Sequence, residues 1–166
     1  MDRQQILLAK SLEAAQVPLS VQTFNERLIL QKAAYLLQAA GIHLGYRFRW
    51  YIRGPYSPDM TAGAFGIVNE GAYGEQELKG WKLDDESSAR ARNLQTLLHR
   101  EGESKADQAR RLELLASSLF LFKTEQAKPS DPEGTSKILK KNDKHFDAKD
   151  VKAAVKELKA HGLFAS

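Results

Sequence analysis

The chain has 166 residues, of which 42% are hydrophobic and 28% are charged, a composition typical of a globular rather than a disordered protein. It contains no cysteine, so disulfides, thiolate zinc sites, iron–sulfur clusters and a cysteine nucleophile are all excluded. The formal net charge of +4 is mild. Because the first residues lack a secretory h-region and no run of roughly 18 apolar residues occurs, we predict a cytoplasmic protein without a membrane segment.

Two amphipathic helices are predicted before Gly41. Apolar residues at helical spacing follow Asp2, a fair N-cap, and predict a first helix that runs to about Gln16. Thr23 and Glu26 then form a T-x-x-E capping box, which satisfies two of the free donors at a helix start. Gly41 suits the left-handed conformation that ends many helices. We expect this second, more apolar helix to lie at the centre of the core.

Residues 46–53 alternate between two faces, as a half-buried strand does. Gly54-Pro55 ends this predicted strand, and Ser57 caps the next helix with Pro58 at its first position. On this prediction the core-facing residues are Tyr46, Phe48, Trp50 and Ile52, and the opposite face carries Arg47, Arg49, Tyr51 and Arg53.

The rest of the chain is predicted to be mostly helical. Residues 73–83 are predicted as a loop, with a short strand at 81–83 that pairs with the first strand. Helices follow at about 85–100, 104–123, 134–142 and 148–161. The predicted fold class is therefore mostly α (α+β), a bundle of about six or seven helices with a small two-stranded β element and a helix-turn-helix-like C-terminal end. We expect one globular domain, residues 1–166.

No pattern in the sequence identifies an active site. There is no G-x-S-x-G, no P-loop and no G-x-G-x-x-G, and no two histidines have the i, i+4 spacing of a helical metal site. The carboxylates at residues 84–86 point in different directions and complement a helix dipole. We therefore predict no catalytic residue, no cofactor and no metal. A hydrolase would need an acid–base cluster around Tyr51, Arg53 and a carboxylate.

The arginine-bearing face of the strand is the first candidate binding site. Guanidinium groups and a phenol ring in a row can pair with phosphates or carboxylates and can stack on bases. The free N–H groups of the next helix, beside Arg53, suit an anion. In the alternative interpretation the arginines pair with neighbouring acids and the aromatic residues only fill the core. The predicted site for a partner or an anion comprises Arg47, Arg49, Tyr51, Arg53, Tyr56 and Ser57.

The last helix is the second candidate binding site, for nucleic acid. It follows a short helix and a turn, residues 142–147, in an arrangement like that of a helix-turn-helix. Its lysines face away from an apolar stripe and can contact phosphates without reading bases. The alternative is an ordinary solvated helix face. The stripe comprises Val151, Ala154, Val155 and Leu158, and the lysines are Lys149, Lys152, Lys156 and Lys159.

Five segments carry a resemblance to a known family: residues 30–38, 45–48, 51–58 and 112–117, and the closing Val155, Leu158 and Gly162-Leu163. Together they resemble the YwgA-like family of small bacterial and archaeal proteins. More remotely, the helix, aromatic strand and G-P-x-S order of residues 24–70 is similar to the SocA-like (Panacea) domain of antitoxins that neutralise unrelated toxins. That resemblance implies a protein-binding regulator, in some members an adaptor that delivers a toxin to a protease.

The leading functional hypothesis is a non-enzymatic regulatory module that binds another protein. The resemblance implies a setting in toxin–antitoxin or phage-defence systems. The alternative is a nucleic-acid-associated protein that contacts phosphates through the lysine helix or the arginine strand. The sequence also leaves a homo-oligomer open.

Overall fold

The computed structural model describes residues 1–164, which form nine helices and one two-stranded sheet. This confirms the mostly helical fold class with a small β element. The helices are more numerous than predicted, because the segment 71–78 is helical and the segment 85–100 is two helices. The elements are α1 (Arg3–Ala14), α2 (Phe24–Ala39), β1 (Arg49–Tyr51), β2 (Gly54–Tyr56), α3 (Pro58–Asn69), α4 (Gly71–Leu78), α5 (Asp85–Asn93), α6 (Gln95–Leu98), α7 (Lys105–Lys123), α8 (Pro132–Lys141) and α9 (Ala148–Ala160).

The first two helices begin where the sequence predicts. Asp2 accepts a hydrogen bond from the backbone N–H of Gln5 at 2.7 Å and donates its own N–H to the Gln5 side chain at 3.0 Å. Thr23 and Glu26 form the predicted capping box, with distances of 3.2 and 3.0 Å. Gly41 has a φ of +99°, as a residue that follows a helix end often does. These short-range patterns were sufficient to locate both helix starts.

The sheet differs from the prediction. β1 pairs with β2 in a hairpin, with Arg49 opposite Tyr56 and Tyr51 opposite Gly54. Residues 52–53 form the turn, so Gly54-Pro55 opens a second strand instead of ending the first. Gly54 has a φ of +88°, and a Cβ there would lie 2.3 Å from the Ser117 hydroxyl. Glycine is therefore required both for the backbone conformation and for the close approach of β2 to α7.

The predicted strand at 81–83 and the predicted loop at 73–83 were wrong. Residues 81–84 have no regular structure, and α4 covers most of the segment assigned to a loop. The reason is that α4 buries only Gly74. A helix with one buried residue has no apolar stripe, and the apolar stripe is the signal from which helices are predicted.

The core lies between α2 and α7, and the hairpin rests on both of these helices. The buried apolar residues form one cluster, to which α2 contributes Leu30, Ala33, Leu36 and Leu37 and α7 contributes Leu112, Leu115, Ala116 and Leu119. α8 and α9 pack against each other and against α7. Among residues 1–164, no helix combines the length and the apolar character needed to cross a bilayer.

Candidate functional site

The hairpin tip carries large apolar side chains into solvent. Ile52 is 83% exposed, Tyr51 is 46% exposed, and Phe24 at the start of α2 is 54% exposed beside them. The sequence predicted Ile52 to face the core, and this was wrong. The turn at residues 52–53 interrupts the strand alternation, so the period of two no longer determines which way the side chain points.

These side chains line an open groove of about 310 Å³ between the hairpin tip, α2 and α3. This volume lies at the lower end of the range for ligand pockets, roughly 300–1,000 Å³. The Tyr51 and Tyr56 rings meet edge to face at 5.3 Å between centroids, so each holds the other in place. The groove is lined by Phe24, Arg27, Leu28, Gln31, Tyr51, Ile52, Arg53, Tyr56 and Thr61.

Two arginines stand at the groove, and no carboxylate lines it in the part of the chain that the structure describes. Arg27 donates one guanidinium N–H to the Val21 carbonyl at 2.8 Å. The Arg53 guanidinium carbon lies 5.8 Å from the centroid of the Phe24 ring, within cation–π range. The groove is therefore apolar and positively charged. It lacks the carboxylate that the hydrolase hypothesis requires beside Tyr51 and Arg53.

The other predicted binding residues are divided between the surface and the interior. Arg47 and Arg49 are exposed, and within residues 1–164 neither makes an ion pair. The alternative interpretation, in which these arginines pair with neighbouring acids, is therefore wrong for Arg47 and Arg49. Phe48 packs against Tyr35 and Trp50 packs against Phe120, with ring centroids 5.3 and 5.7 Å apart. Phe48, just before β1, and Trp50, within it, are both half-buried.

Ser57, predicted as a binding residue, is buried and holds the corner between β2 and α3. Its hydroxyl accepts the backbone N–H of Met60 at 3.3 Å. Its backbone N–H and carbonyl both bond to the Gln31 side chain, at 3.0 and 2.8 Å. The helix start that the sequence suggested for an anion is therefore already capped by Ser57 itself.

Beneath the hairpin lies a cluster of buried charges that was not predicted from the sequence. The Lys32 ammonium donates to the Pro55 carbonyl at 2.7 Å. The Lys144 ammonium donates to the carbonyl of Ile52 and lies 3.3 Å from the Glu113 carboxylate. Both lysines and Glu113 are buried. Two lysines from distant parts of the chain therefore hold the backbone of the hairpin tip against the helices.

Burial lowers the pKa of both lysines, because it disfavours their charged forms. It lowers the pKa of Lys32 to about 7, and repulsion from Lys144 and Arg53 acts in the same direction, against the attraction of Glu113. Burial also lowers the pKa of Lys144, again against the attraction of Glu113. The sequence does indicate that Lys32 is buried, because this residue falls within the apolar pattern of α2 between Ile29 and Ala33. Lys144 follows no such pattern.

The lysine helix has the predicted two-sided arrangement. Val151, Ala154 and Leu158 are buried and Val155 is half-buried. The lysines face solvent, and none of them takes part in an ion pair with another residue of the described chain; they are Lys149, Lys152, Lys156 and Lys159. Across residues 1–164 no group of three His, Asp or Glu side chains is arranged to hold a metal ion.

Comparison of the chain with protein-family models, with curated proteins and with solved structures returned no match.

Proposed function

We propose that this chain is a regulatory module that binds another protein, and that the partner docks in the groove at the hairpin tip. The observation that supports the proposal is the clustering of Phe24, Tyr51 and Ile52, three large and exposed apolar side chains, around one groove. Clustered exposed apolar residues mark interaction sites, whereas isolated ones need no explanation. The resemblance to the YwgA-like family and to the SocA-like domain supports a setting in toxin–antitoxin or phage-defence systems.

The anchoring of the hairpin also supports a binding role. A hairpin of two three-residue strands is marginal on its own, but here the carbonyls of Ile52 and Pro55 accept hydrogen bonds from buried lysines. The exposed tip is therefore held in one conformation before a partner arrives. Such preorganisation reduces the entropy lost on binding and so raises affinity. This role uses no catalytic group.

Ile52→Asp should weaken binding in the groove without destabilising the fold. Ile52 is almost fully exposed, so we expect the free energy of unfolding to change by no more than about 0.5 kcal/mol. A charge in the centre of an apolar groove should lower the affinity for groove ligands at least about tenfold. The measurement uses peptides selected from a random phage-displayed library on the wild-type protein, followed by calorimetric titration.

Tyr73→Asp is the matched control, because Tyr73 is also a large exposed apolar residue but lies on α4, outside the groove. Peptides that bind the wild type and Tyr73→Asp equally, but not Ile52→Asp, support the proposal. If Ile52→Asp retains full affinity for every selected peptide, the groove is not the binding surface.

Binding to nucleic acid is the second candidate function. It is favoured by the row of exposed lysines on α9 that lack ion-pair partners within residues 1–164. Its test is a salt titration of binding to generic duplex and single-stranded DNA. Micromolar binding that falls steeply with the logarithm of salt concentration, and that is weakened by Lys152→Ala and Lys156→Ala, would count against a protein-binding role alone.

A further inference from the structure

We infer that the segment that docks in the hairpin-tip groove is acidic as well as apolar: it carries a large apolar anchor residue flanked by carboxylates. This inference rests on the proposed function and specifies the chemistry of the partner. It follows from the arginines in the wall of the groove and along the segment that leads to it.

The wall of the groove contributes two cations and, in the described chain, no anion. Arg27 and Arg53 both line it. Arg53 makes no ion pair with any residue between 1 and 164, and its contact with the Phe24 ring leaves its N–H groups free to donate. Arginine presents its donors in a planar fork that matches a carboxylate. A carboxylate beside an apolar anchor residue could therefore accept hydrogen bonds from the guanidinium N–H groups of Arg53.

The buried cluster beneath the hairpin tip adds less positive charge than its two lysines suggest. Lys32 and Lys144 bond to the carbonyls of Pro55 and Ile52 from the interior, and Glu113 is the carboxylate beside them. Glu113 offsets the charge of Lys144, and burial lowers the pKa of Lys32 to about 7, so the arginines are the main source of positive charge at the groove.

The strand that leads to the tip extends the positive surface. Arg47 and Arg49 are exposed and lie on the same chain segment as Tyr51. An acidic segment longer than the groove would remain within reach of these side chains. Complementary charge of this kind guides encounter and selects among partners more than it adds affinity.

A peptide suits this groove better than a nucleic acid does. Leu28 and Ile52, two branched aliphatic side chains, form part of its surface, and they fit an apolar amino-acid side chain. Bases are normally held on the open faces of aromatic rings, whereas the Tyr51 ring is engaged edge to face with Tyr56. The charges then recognise carboxylates rather than phosphates.

The test uses random peptides displayed on phage and selected on the whole protein. We expect the enriched sequences to contain a large apolar residue with Asp or Glu nearby. In synthetic peptides of those sequences, replacing each acid by its amide, Asn or Gln, should weaken binding at least about threefold at low salt. That difference should shrink in the Arg53→Gln variant and persist in Arg92→Gln, whose arginine is exposed on α5 and away from the groove.

The outcomes separate this inference from the proposed function. Enriched peptides that are neutral or basic, yet lose binding in Ile52→Asp, would overturn the acidic partner and leave the groove as a protein-binding site. Selection that returns no peptide sensitive to Ile52→Asp would overturn both. If a single-stranded oligonucleotide binds with the same dependence on Ile52 and Arg53 and displaces the peptides, the ligand is nucleic acid and the inference is wrong.

Discussion

Between about pH 7 and about pH 9.5, the free energy of unfolding of the wild-type protein should rise by about 3 kcal/mol more than that of the Lys32→Met variant. Lys32 is buried under the hairpin, and its pKa lies near 7 in the native protein against an ordinary value of 10.5. The unfolded chain therefore binds one more proton than the native protein across this interval. Raising the pH removes that difference and favours the native state.

Methionine removes the titrating group at similar size, but it also leaves the Pro55 carbonyl without its donor. This second effect costs about 1–3 kcal/mol at every pH. Lys32→Met should therefore be least harmful at low pH, where the wild-type protein must keep a charge in its interior, and most harmful at high pH, where neutral Lys32 still donates to Pro55.

The measurement is urea unfolding followed by circular dichroism at a series of pH values. Lys152→Met serves as the control, because Lys152 is exposed on α9 and its loss should leave the pH profile unchanged. Titrating groups distant from Lys32 are common to all three proteins and cancel in the comparison, whereas Lys144 is coupled to Lys32 by charge repulsion. A Lys32→Met profile parallel to that of the wild type would mean that Lys32 keeps its proton in the folded protein.

Glu113→Leu should lower the free energy of unfolding by about 3 kcal/mol, because it leaves the Lys144 ammonium buried without a counter-charge. The two groups lie 3.3 Å apart, and both are buried. An ion pair of this kind adds little beyond an apolar pair of equal size, but the loss of one partner is costly. The double variant Glu113→Leu/Lys144→Met should consequently be more stable than Glu113→Leu alone.

A double-mutant cycle at neutral pH, measured by urea unfolding, tests this expectation. Glu86→Leu is the control, since Glu86 pairs with Arg90 on the exposed face of α5 and exposed pairs contribute only about 0–1 kcal/mol. Additive losses in the double variant would show that Glu113 and Lys144 do not act as a pair. The cycle also bears on binding, because Lys144 holds the carbonyl of Ile52 at the groove.

Some of the residues that line the groove were predicted from the sequence, and others were not. Tyr51 and Arg53 were predicted as binding residues from the strand pattern and Tyr56 from the corner that follows it, and all three line the groove. Phe24 and Leu28 also line it, but in the sequence they belong to a separate, capped helix. Nothing local connects them to the strand, because only the packing of the hairpin on α2 brings the two segments together.

The sequence by itself determined the features that depend on neighbours a few residues away. The N-cap at Asp2, the capping box at Thr23, the apolar stripe of α9 and the long α7 were all predicted, since a helix start or face is encoded within one or two turns. Only the tertiary structure decided that residues 52–53 form a turn and that Lys32 and Lys144 bond to the hairpin backbone from beneath it. Their bonds join residues 23 and 92 positions apart. Contacts over such separations leave no periodic trace in the chain, because they arise only when α2, α7 and the loop after α8 have packed against one another.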